Sequence, residues 1–412
     1  MGFLLMQHGG LPDPFDGSPG QCDEAARFYR HLLSEDILPW WTRHALDREA
    51  GGLCSCIRDD GRIVSYDKYV WSQVRALWTF SAACNRIERV EQWRAAAEAI
   101  FRFIIRAGQR EDGSWNFLLN RDGTVKEGAE SIQTDAFAIC GLVEYARMTG
   151  SDEAVEAARR TAASALVRLG RPGSYRTKPY PIPEGTKAHR VSMQFSLSFT
   201  ELGKCLGDPQ FIEHGLRLTD EVLEHFRRPE RQAVVEYLSL ENAPLPPPIG
   251  TYMSPGHGIE TAWFQLENLR GRAERERVEK ALEIMRWSCE KGWDRRWGGL
   301  LLGLDLDGCE PYLPNSECKL WWPHCEALCG LLMAFEECRE RWCLDWYRRI
   351  HNWSFDHFPD REHGEWTQRL DRQGRRIETV VGLPVKDPFH LPRAIIYAIE
   401  SLERLACVRR GA

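Results

Sequence analysis

Apolar residues along the chain follow the spacing of amphipathic helices. In the stretches 69–85 and 90–107 they recur three and four positions apart, as Trp71, Val74 and Trp78 do in the first stretch. That spacing lines up one apolar face, because an α-helix completes a turn about every 3.6 residues. The pattern therefore predicts two long helices in this part of the chain.

Short glycine-rich segments separate the helical stretches. In several of them two apolar runs flank an Asp-Gly pair, at 60–61, 122–123 and 307–308. Asp-Gly between apolar runs favours a tight turn, because glycine adopts a positive φ at little steric cost. We therefore predict a short β-hairpin or a long turn in each of these segments.

A unit made of one such segment and two helices repeats along the chain. Its clear copies begin with the segments 47–63, 110–125, 294–310 and 360–376, and two weaker copies begin with 171–187 and 228–244. Successive starts differ by 63, 61, 57, 66 and 66 residues, so the six units share one period. Two helices in each unit give about twelve helices.

Six helical hairpins that each bury one face against their neighbours can close into a ring or stay open as a solenoid. The count of six favours closure. We predict an all-α fold, an (α/α)6 barrel (toroid) of six helical hairpins with short β-hairpin loops. The whole chain, 1–412, is expected to form this single catalytic domain, with a short N-terminal extension at about 1–22.

Polar and aromatic residues gather at the start of the helix that follows each glycine-rich segment. Unit by unit they are Lys68 with Trp71 and Arg75, Glu130 with Gln133 and Asp135, His189 with Met193, His257 with Glu260, Trp322 with His324 and Glu326, and Lys386 with His390 and Arg393. In a closed ring these positions would meet at one mouth of the central cavity, where we expect the binding pocket.

Two of these histidines have settings that suit proton transfer. Glu260 lies three residues after His257 and Arg393 lies three residues after His390, so each companion projects from the same helical face as its histidine. If both histidines reach one pocket, a substrate would meet two proton-transfer groups from opposite sides.

The composition is that of an ordinary globular protein, with 43% hydrophobic and 28% charged residues. The net charge of −6 comes without a basic stripe, which argues against nucleic acid as a partner. No apolar run approaches the roughly 18 residues of a membrane span. The N-terminus lacks a signal-peptide pattern, so we predict a cytoplasmic protein with reduced thiols. The fourteen cysteines include no CxxC pair, and we predict no metal centre.

Five segments resemble the N-acylglucosamine 2-epimerase family, whose members are (α/α)6 barrels. They are KYVWSQVRALWTFSA (68–82), SPGHGIETAWFQLE (254–267), KLWWPHCEALCGLL (319–332), EHGEWTQRLDRQG (362–374) and KDPFHLPRA (386–394). They occur in the family's order and span most of the chain. The WWPH and PFHLPR forms look closer to the N-acylglucosamine branch than to the cellobiose 2-epimerases.

The resemblance implies a sugar 2-epimerase, an isomerase that interconverts N-acyl-D-glucosamine and N-acyl-D-mannosamine. Such a reaction opens the ring, removes the proton at carbon 2 and returns a proton to the other face, and histidine serves as acid or base at neutral pH. By resemblance His390 acts on the gluco face, His257 on the manno face, Arg75 stabilises the enolate oxygen, and Glu260 orients or charges His257.

We expect a further set of residues to bind the sugar. They are Lys68, Tyr69, Trp71, Gln133, Met193, Trp321, Trp322, His324, Glu326 and Arg393. Two assignments have structural alternatives: His324 as a core histidine near Trp322, and Glu260 as a carboxylate that stabilises a helix N-terminus. Met193, Phe195 and Leu197 stand where related sugar isomerases carry polar residues, which suggests an apolar wall for an acyl group.

Other functions remain open at this point. An aldose-ketose isomerase would use the same enediol and return the proton to carbon 1. A hydrolase or lyase would need a carboxylate pair, for which Asp135, Glu130 and Glu326 are available. A non-catalytic sugar- or protein-binding module would leave the two histidines without a role. The family resemblance also suggests a homodimer and ATP as an effector, with no cofactor required.

Overall fold

A computed structural model describes residues 11–12, 15–171 and 173–407. Much of the predicted N-terminal extension at about 1–22 lies outside these residues, and the first helix begins inside that range at Pro19. Among the described residues, no helix combines the length and the apolar character needed to span a bilayer.

Helices make up most of the described chain. They are α1 (Pro19–His31), α2 (Leu38–His44), α3 (Val70–Ala82), α4 (Glu91–Ala107), α5 (Ile132–Thr149), α6 (Asp152–Leu169), α7 (His189–Leu206), α8 (Pro209–Glu221), α9 (Pro255–Leu269), α10 (Arg275–Gly292), α11 (Trp321–Cys338), α12 (Arg341–His357) and α13 (His390–Cys407). Single π-helical turns join α1 to α2 (Leu32–Ile37) and extend α3 (Ala83–Ile87) and α8 (Val222–Phe226), and Pro229–Arg231 forms a 3-10 turn.

The helices form two concentric layers. Helices α3, α5, α7, α9, α11 and α13 contact one another in that order, and α13 contacts α3, so the inner layer closes on itself. The outer layer packs against it pair by pair, α4 on α3, α6 on α5, α8 on α7, α10 on α9, α12 on α11 and α1 on α13. The predicted (α/α)6 barrel is confirmed.

The two layers differ in how their side chains are buried. Outer helix α4 buries a single stripe that includes Trp93, Ala97, Ile100 and Ile104, with charged residues on the opposite face. Inner helix α5 is buried on almost every side from Ile132 onward, because it has neighbours on both sides of the ring and behind it. An amphipathic pattern therefore marks the outer layer, and a continuous apolar pattern marks the inner one.

Short strands occupy the segments between helices. They are β1 (Cys56–Ile57), β2 (Ile63–Ser65), β3 (Lys68–Tyr69), β4 (Leu118–Leu119), β5 (Val125–Glu127), β6 (Thr186–Ala188), β7 (Arg227–Arg228), β8 (Ala233–Val234), β9 (Tyr237–Ser239), β10 (Tyr252–Met253), β11 (Leu304–Asp305), β12 (Lys319–Leu320) and β13 (Arg369–Leu370). All pairings among them are antiparallel.

Two of the three predicted hairpins form at their Asp-Gly pairs. Gly61 (φ 83°) lies in the turn from β1 to β2, and Gly123 (φ 95°) lies in the turn from β4 to β5. The third segment forms a turn without a hairpin of its own. Gly308 also has a positive φ, but β11 before it pairs with β10 of the preceding unit rather than with a following strand.

Strand pairing between units fixes where the inner helices begin. Strands β3, β6, β10 and β12 lead directly into α3, α7, α9 and α11. Each pairs with a strand from later in the chain: β4, β9, β11 and β13 respectively. These pairs gather the N-terminal turns of the inner helices at one end of the barrel, called the mouth below.

Candidate active site

The mouth leads into a cavity between the first turns of the inner helices. Its empty volume is about 1010 Å³, including the part open to solvent. Of the residues predicted to act on or bind the substrate, those that line the cavity are Trp71, Arg75, Gln133, His257, Glu260, Trp321, Trp322 and His390. The residues that suggested two opposed bases therefore do share one pocket.

Trp322 lies between the two histidines. Its ring centroid is 5.1 Å from that of His257 and 5.7 Å from that of His390. Trp321, the preceding residue, contacts His390 edge-on at 5.8 Å. One indole therefore packs against both imidazoles and sets their relative position.

His257 is paired with Glu236, a residue that the sequence did not single out. The Nδ1 of His257 lies 3.0 Å from Oε2 of Glu236, which also lies 3.3 Å from Nδ1 of His189. Burial favours the neutral form of Glu236, but His257 and His189 outweigh it and hold its pKa well below the usual range. An ionised Glu236 accepts the Nδ1 proton of His257, so Nε2 is left to face the cavity.

His390 has a corresponding partner in Glu326. Its Nδ1 lies 2.6 Å from Oε1 of Glu326, and the indole N–H of Trp263 donates to Oε2 at 2.8 Å. Burial, reinforced by the charges of Arg75 and Arg393, lowers the pKa of His390 well below its usual range. His390 is therefore neutral at physiological pH, and its Nε2 is a free base.

The contacts of Arg393 change the companions predicted for both histidines. Its Nη2 donates to Oε1 of Glu260 at 2.5 Å and to Oε1 of Glu326 at 2.7 Å, which binds the two buried carboxylates together. Glu260 thus pairs with Arg393 of another helix. Glu236 lies beside His257 and takes the role that was predicted for Glu260. Arg393 and Glu326 hold His390 from behind and do not line the cavity.

The same three groups resemble a metal-ligand set. One ligand atom from each of Glu260, Glu326 and His390 lies within 4.8 Å of the others. The guanidinium of Arg393, however, already bonds to both carboxylates. Because a fixed cation there both repels a metal ion and occupies the carboxylate lone pairs, the donor set does not fit a metal.

Arg75 presents its guanidinium to the cavity from an aromatic setting. The guanidinium carbon lies 4.2 Å from the ring centroid of Trp71, 4.0 Å from that of Phe137 and 4.9 Å from that of Phe389. Nη1 donates to Oδ2 of Asp387 at 3.2 Å. The side chain is 7% exposed, so Arg75 is a fixed cation beside His390, with donors remaining for a ligand.

Two glutamines face the cavity from α5 and α7. Nε2 of Gln133 donates to Oε1 of Gln194 at 3.2 Å, and both residues line the cavity. One amide donor on Gln194 and one amide acceptor on Gln133 remain. Exchanging oxygen and nitrogen in both side chains leaves the same pair of free functions.

Six predicted sugar-binding residues are not in the cavity lining, and the prediction for them is corrected: Lys68, Tyr69, Met193, His324, Glu326 and Arg393. Lys68 is fully buried, and its Nζ donates to Asp47 at 2.9 Å. Met193 is fully buried within the barrel wall. Tyr69 lies in β3 with its ring against Phe117. The apolar acyl wall predicted from Met193 is therefore absent from the described cavity.

His324 is a core histidine, which is the alternative given for it from the sequence. Its Nε2 accepts the backbone N–H of Leu300 at 2.8 Å, and its Nδ1 donates to the carbonyl of Leu320 at 2.7 Å. The ring stacks on Trp353 at 4.9 Å. Burial lowers the pKa of His324 to about 3, so it holds the helix start in place as a neutral ring.

Sequence reasoning missed several residues of the cavity lining, among them Arg190, Gln194, Glu236 and Asp387. Glu236 belongs to the weak fourth unit, where the repeat gives no landmark. Asp387 lies three residues before His390, in a segment already singled out, and Arg190 and Gln194 flank Met193. Their nearness to chosen residues was the available signal, but only the ring packing shows which of them point inward.

A closed helical barrel with two carboxylate-bound histidines in one cavity defines an enzyme that transfers protons to and from a small substrate. A profile of the N-acylglucosamine 2-epimerase (GlcNAc 2-epimerase) family matches residues 52–394. The chain belongs to this family. The prediction of a sugar 2-epimerase, and hence of an isomerase, is confirmed.

Relatives and solved structures agree with this assignment. N-acylglucosamine 2-epimerase of Bos taurus is 30% identical over 387 residues, which cover 90% of this chain and 89% of the relative. Cellobiose 2-epimerase from Bacillus thermoamylovorans has the same fold with a TM-score of 0.80, at 21% identity over 92% of this chain and 99% of that one. A D-mannose isomerase structure matches with a TM-score of 0.75, at 17% identity over 92% of this chain and 97% of that one.

Proposed function

We propose that the protein interconverts N-acyl-D-glucosamine and N-acyl-D-mannosamine by proton transfer at carbon 2. The observation that carries this proposal is the pair of histidines in one cavity, each bound to its own carboxylate and both resting on Trp322. A single fixed base would serve one face of carbon 2, whereas this arrangement serves both.

The mechanism follows from the placement of the two histidines and from the neutral state of His390. In the gluco direction, neutral His390 removes the proton from carbon 2 of the ring-opened sugar with Nε2, and Glu326 stabilises the imidazolium that forms. Arg75 stabilises the negative charge that develops on the oxygen at carbon 1. His257, protonated and held by Glu236, then returns a proton to the opposite face, and the reverse reaction exchanges the two roles.

The two glutamines support an N-acyl substrate. Between them Gln133 and Gln194 leave one donor and one acceptor, which complement the C=O and N–H of a secondary amide. A hydroxyl at carbon 2 carries its donor and its acceptors on one oxygen atom, whereas the amide presents them on two separate atoms. A site built for such hydrogen bonds discriminates strongly against an analogue that leaves them unmade.

The alternative of a hydrolase or lyase has less support. Asp135 is buried against Arg168 at 2.8 Å, and Glu130 pairs with Arg176 at 3.4 Å. Neither carboxylate lines the cavity, and Glu326 is bound to Arg393 behind it. The carboxylates that do line the cavity, Glu236, Glu260 and Asp387, are each already paired with a histidine or an arginine, so none of them is left as a free acid for a scissile bond.

Four further properties are proposed. The cytoplasmic location predicted from the sequence is one of them, and the family resemblance suggests the others: a homodimer that needs no cofactor and responds to ATP as an effector. Light scattering of the purified protein measures its mass in solution, and turnover with and without ATP tests the effector.

The decisive experiment follows the proton at carbon 2 by NMR in heavy water. N-acetylglucosamine and N-acetylmannosamine should each give the other epimer with deuterium at carbon 2, whereas glucose and mannose should react far more slowly. Unlabelled product would indicate internal transfer, and a ketose product would indicate an aldose-ketose isomerase. Saturable binding without exchange would indicate a binding module.

Single substitutions test the roles of the histidines. His257→Asn and His390→Asn should each lower epimerisation by roughly 10²- to 10⁴-fold, the usual contribution of a general acid or base. His363→Asn is the matched control, because this histidine is partly exposed and pairs with Asp360 outside the cavity. Full turnover in His390→Asn would refute the two-base mechanism.

A further inference from the structure

Arg190 lines the cavity, but its hydrogen bonds go to the protein. The side chain is 3% exposed. Nη1 donates to Oε1 of Glu236 at 2.7 Å and to the hydroxyl of Tyr237 at 3.3 Å. Nη2 donates to Oγ1 of Thr177 at 3.2 Å and to the carbonyl of Tyr180 at 2.8 Å. With both terminal nitrogens engaged, Arg190 acts on the reaction through its partners.

The most important of these partners is the carboxylate that holds His257. Glu236 receives Arg190 on Oε1 and faces both His257 and His189 with Oε2. Four phenols also act on this carboxylate or its arginine: Tyr175, Tyr180, Tyr237 and Tyr252. The guanidinium of Arg190 places a further positive charge beside Glu236, in addition to the two histidines that lower its pKa.

Within the part of the chain that the structure describes, Glu236 is the charged side chain that pairs with the His257 ring. Trp322 packs against one face, and His189 meets the ring edge-on with centroids 6.0 Å apart. The second nitrogen of His189, Nε2, bonds to the hydroxyl of Thr261 at 2.7 Å. The proton affinity of His257 therefore depends mainly on how much negative charge Glu236 presents to it.

We propose that Arg190 is a positioning residue that orients Glu236 and keeps His257 available as a neutral base, a role that rests on the proposed function. Two features of the guanidinium support this. Its planar fork fixes the angle of the carboxylate, and its charge offsets that of Glu236. A lysine in the same place supplies the charge without the fork.

Arg190 also joins the base to the mouth of the cavity. Tyr180, whose carbonyl it binds, lines the cavity with Pro179. A Cβ on Gly382, in the segment before α13, would lie 3.4 Å from both of these side chains. The segments at the mouth therefore pack together above the site, and one of them is tied through Arg190 to Glu236.

The test compares Arg190→Met, which removes the charge, with Arg190→Lys, which keeps it. In Arg190→Met, the acid limb of the kcat/KM profile in the manno direction should move up by about one pH unit or more, because His257 must be neutral there. The basic limb in the gluco direction should move up equally, since His257 must then be protonated. Arg190→Lys keeps the charge and should therefore return both limbs most of the way to their positions in the unsubstituted protein.

Control and refutation use the same two limbs. Arg86→Met removes a largely buried arginine that pairs with Glu144 outside this cavity, and should leave both limbs in place. A loss of activity in Arg190→Met without movement of either limb would overturn the proposal, because a purely structural role lowers turnover at all pH values alike.

A substrate-free measurement separates this proposal from the proposed function. NMR titration of the His257 ring, identified by its disappearance in His257→Asn, should show a higher pKa in Arg190→Met than in the unsubstituted protein. An unchanged titration would refute the role of Arg190 whatever the substrate is. A shifted titration without any exchange at carbon 2 would instead reject the epimerase reaction alone.

Discussion

Replacing Arg393 with methionine should destabilise the barrel more than almost any other single polar change. The guanidinium is 4% exposed and bonds to two carboxylates, Glu260 and Glu326, that are 3% and 0% exposed. Methionine fills a similar volume but leaves both charges without a counter-ion. Removing one partner of a buried ion pair typically costs about 3–5 kcal/mol, and we expect the upper part of that range because two carboxylates lose one shared cation.

The cost should depend on pH in a specific direction. Burial already raises the pKa of Glu326 while Arg393 is present, and loss of the arginine raises the folded-state pKa of this carboxyl further. A carboxyl whose folded pKa lies above its unfolded value retains its stability below the unfolded value and loses it as the pH rises through the folded value. The destabilisation should therefore be smaller at about pH 5.5 than at about pH 8.

Urea unfolding followed by tryptophan fluorescence measures both quantities. Arg94→Met is the matched control, because its exposed side chain pairs with Glu91 and Glu98 on the surface of α4, and no resolvable change is expected. A loss in Arg393→Met below about 1 kcal/mol, or the same loss at both pH values, would refute the reasoning.

The remaining predictions concern the corrected and the newly found residues. Lys68→Met should lower the free energy of unfolding by about 1–3 kcal/mol, because Asp47 loses one cation but keeps Arg121, and should leave KM unchanged, whereas a raised KM in steady-state kinetics would restore its predicted sugar-binding role. Asp387→Asn should lower kcat roughly 10- to 100-fold because Arg75 loses its anchor, and wild-type kcat would show that the anchor is dispensable. Gln194→Leu should raise KM for N-acetylglucosamine about tenfold or more but not KM for glucose, and equal effects on both sugars would exclude amide recognition. Dialysis against EDTA should leave turnover unchanged, and a metal-restored loss of turnover would contradict the guanidinium's place among the carboxylates.

The fold was predictable because its signals are periodic. Helical spacing, Asp-Gly turns and a repeat of about sixty residues are each visible in the chain, and closure follows from the number of units. The segment around 307–308 forms a turn without a hairpin of its own, and the reason is physical. Strand β11 pairs with β10 of the preceding unit, and a pattern within one segment cannot tell which neighbour supplies the partner strand.

The candidate site was predictable where a residue acts from its own helix, and unpredictable where it needs a partner from another. His257 and His390 were found by their motifs, but their carboxylates come from elsewhere in the ring. The rule that residues three apart on a helix share a face correctly places Glu260 near the site. It does not reveal that Glu260 in α9 forms its hydrogen bond with Arg393 in α13.

Repetition itself misled the assignment of Lys68. Lys319 stands at the same point of the fifth unit and binds Asp294 at 3.3 Å, as Lys68 binds Asp47. Each aspartate also accepts two backbone N–H groups of the glycine-rich turn that follows it. A residue that recurs in equivalent units with the same partner serves the framework they share, whereas the residues of the site occur in one unit each.

The position of Trp322 has a consequence for how this enzyme can change. Because one indole contacts both imidazoles, the two half-reactions depend on a single side chain, and a substitution there disturbs both bases together. The carboxylates behind the bases, by contrast, come from separate segments, so each base can be altered alone through Glu236 or Glu326. In the proposed mechanism, a substitution at Trp322 therefore affects both faces of carbon 2, whereas a substitution at Glu236 or Glu326 changes the strength of one base.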